Sequence, residues 1–173
     1  MTEECKAPLD PTAFGLFFVA IVSLPIALSG ILGYAGVDNE IGQYLGTLCM
    51  IAAFFILIAA LAAYKAGSNF GFIVFGLVAL GVFFSGIAGG DLYTNLTLGI
   101  IYLVALIWSY RVGNPKTLTI ILLTTALIFI FGGIGAETGD SVWSLLQGIA
   151  ALANFLLTLY LAFALADEKL PCY

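Results

Sequence analysis

Ionisable side chains, which carry most enzyme chemistry, are few in this chain and lie between its apolar runs. The 173 residues include ten Asp or Glu, five Lys or Arg and no His. Metal sites and acid–base catalysis need His, Cys or carboxylates held together, and no such cluster occurs at metal-ligand spacing. The cysteines show no CxxC spacing, so we expect unpaired thiols at Cys5, Cys49 and Cys172. The sequence therefore predicts no enzyme, no metal site and no cofactor.

Hydroxyl and amide groups are the polar side chains left within the apolar runs. Those we place at membrane depth are Ser23, Ser29, Thr47, Tyr102, Thr117, Thr119, Thr124, Thr125, Gln147, Asn154 and Thr158. A Ser or Thr hydroxyl can bond to a carbonyl of its own helix, so we expect most of these groups to serve helix packing. The amide of Asn154 cannot satisfy itself in this way. We expect Asn154 either to pair with a neighbouring helix or to face a water-filled path.

Six apolar runs carry these groups, and each is long enough to cross a membrane. The composition is 62% apolar and 9% charged, and a transmembrane helix needs about 20 apolar residues. Charges confined to the ends of such runs are typical of a polytopic membrane protein. We predict an all-α protein with six transmembrane helices, divided into an N-terminal segment 1–12, a transmembrane domain 13–166 and a tail 167–173.

The turn between the second and third runs is the clearest hairpin signal. Lys65 separates two long stretches that contain no charge. Gly67 suits a left-handed helix end, and Ser68 or Asn69 suits the cap of the next helix. The sequence therefore predicts that the third helix begins almost directly after the second ends.

The two ends of the six predicted helices carry charges of opposite sign. The termini and the second and fourth turns hold all the basic residues, which are Lys6, Lys65, Arg111, Lys116 and Lys169. The first, third and fifth turns hold no base and five acids, which are Asp38, Glu40, Asp91, Glu137 and Asp140. Because basic loops remain on the cytoplasmic side, we predict that both termini are cytoplasmic.

The uncharged interior of the runs also bears on function. Transporters that relay protons through side chains place carboxylates or His at membrane depth, and no run contains Asp, Glu or His. We therefore expect a pore or facilitator. The phenylalanines of the second and third runs either face lipid or fill the core, and a few are candidates for an apolar constriction.

Two motifs resemble the acetate uptake transporters, the succinate-acetate permeases of bacteria and their fungal relatives. That family opens its first helix with a sequence close to Asn-Pro-Ala-Pro-Leu-Gly-Leu. Here Asp10-Pro11-Thr12-Ala13-Phe14-Gly15-Leu16 keeps the Pro, Gly and Leu. The family's aromatic-Lys-Lys-Gly-Asn-Thr-Phe-Gly hairpin is similar to Tyr64-Lys65-Ala66-Gly67-Ser68-Asn69-Phe70-Gly71. A weaker similarity covers Leu159-Tyr160-Leu161-Ala162.

The resemblance implies acetate as the substrate and a hexamer in which each protomer has its own pore. The family narrows that pore with Phe, Tyr and Leu, and extension of the matched motifs puts Val78, Thr97 and Thr125 near those places. Together with the polar groups noted above, the motifs give eight candidate substrate-binding or pore-lining residues. They are Pro11, Phe14, Gly15, Tyr64, Asn69, Phe70, Thr125 and Asn154.

The functional hypothesis is a facilitative channel for acetate or acetic acid and similar small monocarboxylates in the cell membrane. Its expected partners are the small carboxylate substrate, membrane lipid and further copies of the same chain, with no nucleic acid. One alternative is a channel for another small solute such as ammonia or an amide. Another is a scaffold subunit that transports nothing. Since an anion entering a dry pore must lose its hydration, we favour the neutral acid over the anion.

Overall fold

The computed structural model describes residues 11–37, 40–88 and 91–166. The regular secondary structure within these ranges is α-helical, in six helices that are each long and apolar enough to cross a membrane. They are α1 (Pro11–Tyr34), α2 (Ile41–Lys65), α3 (Asn69–Ala88), α4 (Leu92–Arg111), α5 (Lys116–Thr138) and α6 (Ser141–Ala166). The predicted all-α class and the six spans are confirmed. Segments 1–10 and 167–173 lie outside the described residues.

The six helices form a ring. The most extensive interface joins α1 to α6, α2 packs against α1 and α3, and α5 packs against α4 and α6. The ring closes between α3 and α4, which share a much smaller interface. An aromatic contact between Phe70 and Trp108, with ring centroids 4.9 Å apart, bridges these two helices. A ring of this kind leaves space along its axis, where the cavities described below are found.

Glycines of α3 bring different neighbours close to its backbone. A Cβ on Gly86 would lie 2.7 Å from the carbonyl oxygen of Gly46 on α2, and a Cβ on Gly81 would lie 2.6 Å from the Phe129 ring on α5. Gly76 meets no atom within 4 Å. Small residues allow such close helix packing in membranes, where the attraction is mainly van der Waals contact.

The α2–α3 hairpin forms as its sequence predicts. Gly67 has a positive φ of 79°, and the N–H of Ser68 donates to the Ala63 carbonyl at 2.9 Å, which closes the end of α2. Ser68 Oγ then accepts from the N–H of Gly71 at 3.1 Å and caps α3. Ser68 is therefore the cap, and Asn69 is the first residue of the helix.

The alternating direction of the helices sorts their charges to opposite ends of the ring. Among the described residues, one end, here called the basic end, carries Lys65, Arg111 and Lys116. The other, the acidic end, carries Glu40, Asp91, Glu137 and Asp140. Glu137 lies in the last turn of α5 rather than in the turn after it, because that helix continues to Thr138. At Asp91, hydrogen bonds from the side chain and then the backbone N–H of Thr94 lower the pKa of the carboxyl. The backbone N–H of Thr94, 2.9 Å from Oδ1, also makes Asp91 the cap of α4.

Candidate permeation path

Two cavities enter the helix ring from opposite ends. The acidic-end cavity has a volume of about 650 Å³ and extends inward from Gly42, Gly139 and Ser141. The basic-end cavity has a volume of about 210 Å³ and extends inward from Ser68 and Asn114. Because each cavity includes residues from the turns at its own end, the two together span the length of the protomer.

Three residues line both cavities, and we call them the barrier residues. They are Val19 on α1, Val78 on α3 and Thr125 on α5. All three are buried. Since the same side chains belong to the walls of both cavities, the two cavities meet at this layer of side chains.

An aromatic stack lies beside the barrier. Tyr102 of α4 lines the basic-end cavity, and Phe129 of α5 lines the acidic-end cavity. Their rings are stacked with centroids 5.6 Å apart and planes 8° from parallel. Each ring therefore fixes the plane of the other, and the pair contributes to the separation of the two cavities.

Asn154 of α6 lies at the centre of a buried polar network beside the barrier. Its Nδ2 group lies 2.8 Å from Thr125 Oγ1, 2.9 Å from Thr124 Oγ1 and 3.2 Å from the Ile121 carbonyl, and its two protons are shared among these three acceptors. Its Oδ1 atom accepts from Ser23 Oγ of α1 at 3.1 Å. Asn154 thus pairs with two neighbouring helices and also lines the acidic-end cavity. Of the two roles considered for it from the sequence, pairing with neighbouring helices is the one that these hydrogen bonds show, since the side chain is fully buried in the cavity wall.

The hydroxyls of Thr124 and Thr125 use their protons within their own helix, and the single Ser23 proton is shared between its own helix and Asn154. Thr125 Oγ1 donates to the Ile121 carbonyl at 2.8 Å, and Thr124 Oγ1 donates to the same carbonyl at 2.9 Å. Ser23 Oγ lies 2.8 Å from the Val19 carbonyl and also reaches Asn154. A hydroxyl oxygen can accept two hydrogen bonds. The network therefore offers a solute free acceptor lone pairs rather than free donors.

The lining of both cavities carries no charge among the described residues. No Asp, Glu, Lys, Arg or His lines either one, and no group of potential ligands that could hold a metal occurs in the described ranges. Polar contacts come from hydroxyl, amide and backbone groups. Such a lining suits small uncharged solutes, since an ion would lose its hydration without a compensating charge.

Of the eight residues proposed from the sequence, three line the path. Thr125 lines both cavities, Asn154 lines the acidic-end cavity and Phe70 lines the basic-end cavity. The hairpin residues Tyr64 and Asn69 line neither. Tyr64 is 63% exposed and packs against Phe72, with ring centroids 5.3 Å apart.

The first-helix motif contributes to the path through other residues than those proposed. Thr12 and Leu16 of the motif line the basic-end cavity, and so does Val19 further along α1. Pro11, Phe14 and Gly15 line neither cavity. Phe14 is 41% exposed because it lies on a different face of α1.

Gly15 acts on the cavity wall indirectly. A Cβ at this position would lie 2.5 Å from Cε1 of Phe75, which is buried and lines the basic-end cavity. The close approach is therefore to a side chain on α3, and it determines where that ring can lie. By contrast, Phe54, Phe83 and Phe84 are exposed on the surface of the protomer and line neither cavity.

Sequence reasoning missed Val19 and noted Phe75, Val78 and Tyr102 without selecting them as path residues. Valine in an apolar run gives no signal that separates a cavity wall from a lipid contact. Tyr102 did give one, because it lies in the middle of α4, whereas membrane tyrosines concentrate near the interfaces.

Comparison with known proteins places this arrangement in a known fold. No protein-family model and no curated protein matches the chain. Among solved structures, the chain is similar to the bacterial acetate channel SatP, with a TM-score of 0.78 and 16% sequence identity over 96% of this chain and 100% of that one. The fold expected from the two sequence motifs is confirmed by this match: the chain has the fold of the bacterial acetate channel SatP.

Proposed function

We propose that this chain is a facilitative channel for acetic acid and similar small monocarboxylic acids, which cross it in the protonated form. The observation that carries the proposal is the pair of cavities from opposite ends of the ring that share Val19, Val78 and Thr125 as walls. A solute then has to pass the layer of side chains where the two cavities meet. The similar structure is described as an acetate channel, which supports acetate as the first substrate to test.

The hydrogen bonds at the barrier favour the acid over the anion. Thr125 and Asn154 already use their donors on protein acceptors. A carboxylate is an acceptor only, whereas a protonated acid also has an O–H that can donate to a free lone pair. Burying an ionised carboxylate without a charge partner costs far more than burying a neutral acid. Protonation of the substrate, rather than of the protein, then sets the pH dependence.

The proposal extends to assembly and orientation. We expect the protomer to form a homohexamer in the cell membrane, as the family resemblance implies, with the basic end in the cytoplasm. Support for this orientation comes from the sorting of Lys65, Arg111 and Lys116 to one end of the ring. Each protomer would conduct alone, since both cavities lie within one chain.

Flux of labelled acetate and membrane current, measured together across pH on the purified chain in liposomes, test the proposal. Empty liposomes at each pH give the background for acid that crosses the lipid. We expect protein-dependent flux that rises as pH falls toward the pKa of a carboxylic acid, about 4 to 5, with little current. Flux equal to the background at every pH would refute the channel. Current that scales with acetate anion at neutral pH would refute the neutral-acid mechanism.

A second candidate function is a channel for another small neutral solute. The uncharged lining of both cavities favours this class as much as it favours acetic acid. Ammonia or a small amide, offered to the same liposomes, separates the two functions. Flux of an amide without flux of acetate would select the alternative.

A further inference from the structure

The phenol oxygen of Tyr102 lacks a hydrogen-bond partner in the protein. Tyr102 is 0% exposed, and its Oη is the only buried side-chain nitrogen or oxygen without a partner in the described part of the chain. Buried polar groups are nearly always paired, since an unpaired one keeps its full desolvation cost. A partner supplied from outside the protein is therefore expected.

The basic-end cavity is the space next to Tyr102 that can supply this partner. Tyr102 forms part of its wall, and its oxygen is covered by the protein in this structure, so a molecule in the cavity contacts Oη only once neighbouring side chains move aside. The stack on Phe129 holds the ring in one plane, which keeps the phenol oxygen in a fixed place. A cavity of about 210 Å³ has room for a molecule as small as acetic acid.

Thr125 provides a complementary group on the same cavity wall. Its hydroxyl proton is used on the Ile121 carbonyl, so its oxygen presents a lone pair. Tyr102 presents the opposite, an O–H with no acceptor. A protonated carboxylic acid has both matching groups, a carbonyl that accepts and an O–H that donates.

We propose that the basic-end cavity contains a binding site for the protonated acid, in which Tyr102 Oη donates to the acid carbonyl. The acid O–H donates to Thr125 Oγ1 in the same site. This inference rests on the proposed function. It assigns Tyr102 as the residue that binds the acid on the basic-end side of the barrier. Tyr102 binds the acid without any change of covalent bonds.

The variant Tyr102→Phe removes only the oxygen atom and keeps the ring that stacks on Phe129. We expect the KM for acetate flux at acidic pH to rise about 2- to 10-fold, the effect of one net hydrogen bond, with the maximal flux retained. The matched control is Tyr110→Phe on the same helix, where the side chain is 80% exposed. Its KM should equal that of the unaltered chain.

A binding measurement accompanies the flux measurement. A ligand that binds the folded protein raises its thermal midpoint, so acetic acid at acidic pH should stabilise the unaltered chain more than it stabilises Tyr102→Phe. The same comparison without acetate shows whether the variant is folded.

Two results would overturn the inference, and they differ in what else they refute. If the unaltered chain conducts acetate and Tyr102→Phe has the same KM and the same stabilisation by acetate, the phenol bonds to water only, and the channel function stands. If the unaltered chain conducts no acetate at any pH, both the site and the proposed function fail.

Discussion

At the scale of single residues, Asn154 joins three helices beside the barrier, because its amide bonds to side chains on α1 and α5. Asn154 was identifiable because an amide at membrane depth requires partners, and it has them on α1 and α5. Phe14 was proposed to line the pore and lies on another face of α1. In a membrane helix both faces are apolar, so there is no amphipathic period to show which face is turned toward the cavity.

The contact between Gly15 and Phe75 gives a prediction at this scale. We expect Gly15→Ala to reduce flux, because the added Cβ would lie 2.5 Å from Cε1 of Phe75 and the ring would have to move. Phe75 lines the basic-end cavity, so movement of the ring changes the path. Such overpacking costs about 1–3 kcal/mol of stability. Flux and thermal unfolding in detergent are the measurements.

The double variant Gly15→Ala with Phe75→Leu tests whether the ring is the cause. Leucine lacks the ring atoms nearest to the added Cβ, so we expect flux to recover in the double variant. If the single variant already conducts normally, Gly15 has no influence on the path. If the double variant stays impaired, the effect does not pass through Phe75.

At the scale of elements, the helices were predictable because the bilayer leaves few choices. A segment inside lipid has to satisfy its backbone hydrogen bonds internally, so a long apolar run is a helix. The α2–α3 turn was also predictable, since Gly67 suits the left-handed end of one helix and Ser68 suits the cap of the next. The ring order of the helices was not, because similar apolar surfaces do not specify their neighbours.

The hairpin yields a prediction on stability. Gly67→Ala places a side chain at a φ of 79°, a left-handed conformation that costs an ordinary residue about 1–2 kcal/mol. We expect the free energy of unfolding to fall by about this amount, measured by denaturation in detergent. The matched control is Gly76→Ala in the middle of α3, where an added Cβ meets nothing within 4 Å. Equal stability of the two variants would show that the turn conformation is unimportant.

At the scale of the whole molecule, the sequence was enough to predict which charges share an end of the ring. It was not enough to predict where the two cavities meet. The positions of Lys65, Arg111 and Lys116 were enough to predict that they share one end, and the alternating helices place them there. The barrier depends on Val19 and Val78, which no sequence feature separates from valines that face lipid. Only the packing of α1, α3 and α5 shows that these side chains lie between two cavities.

The central claim is that solute crosses within each protomer, at the barrier residues. Acetate flux into liposomes containing Val78→Trp, compared with the unaltered chain and with Leu80→Trp, tests it most directly. Val78 is buried at the barrier, whereas Leu80 on the same helix is 48% exposed on the outer surface. We predict that Val78→Trp reduces flux to the level of empty liposomes while Leu80→Trp conducts normally. Normal flux through a correctly assembled Val78→Trp variant would contradict the account.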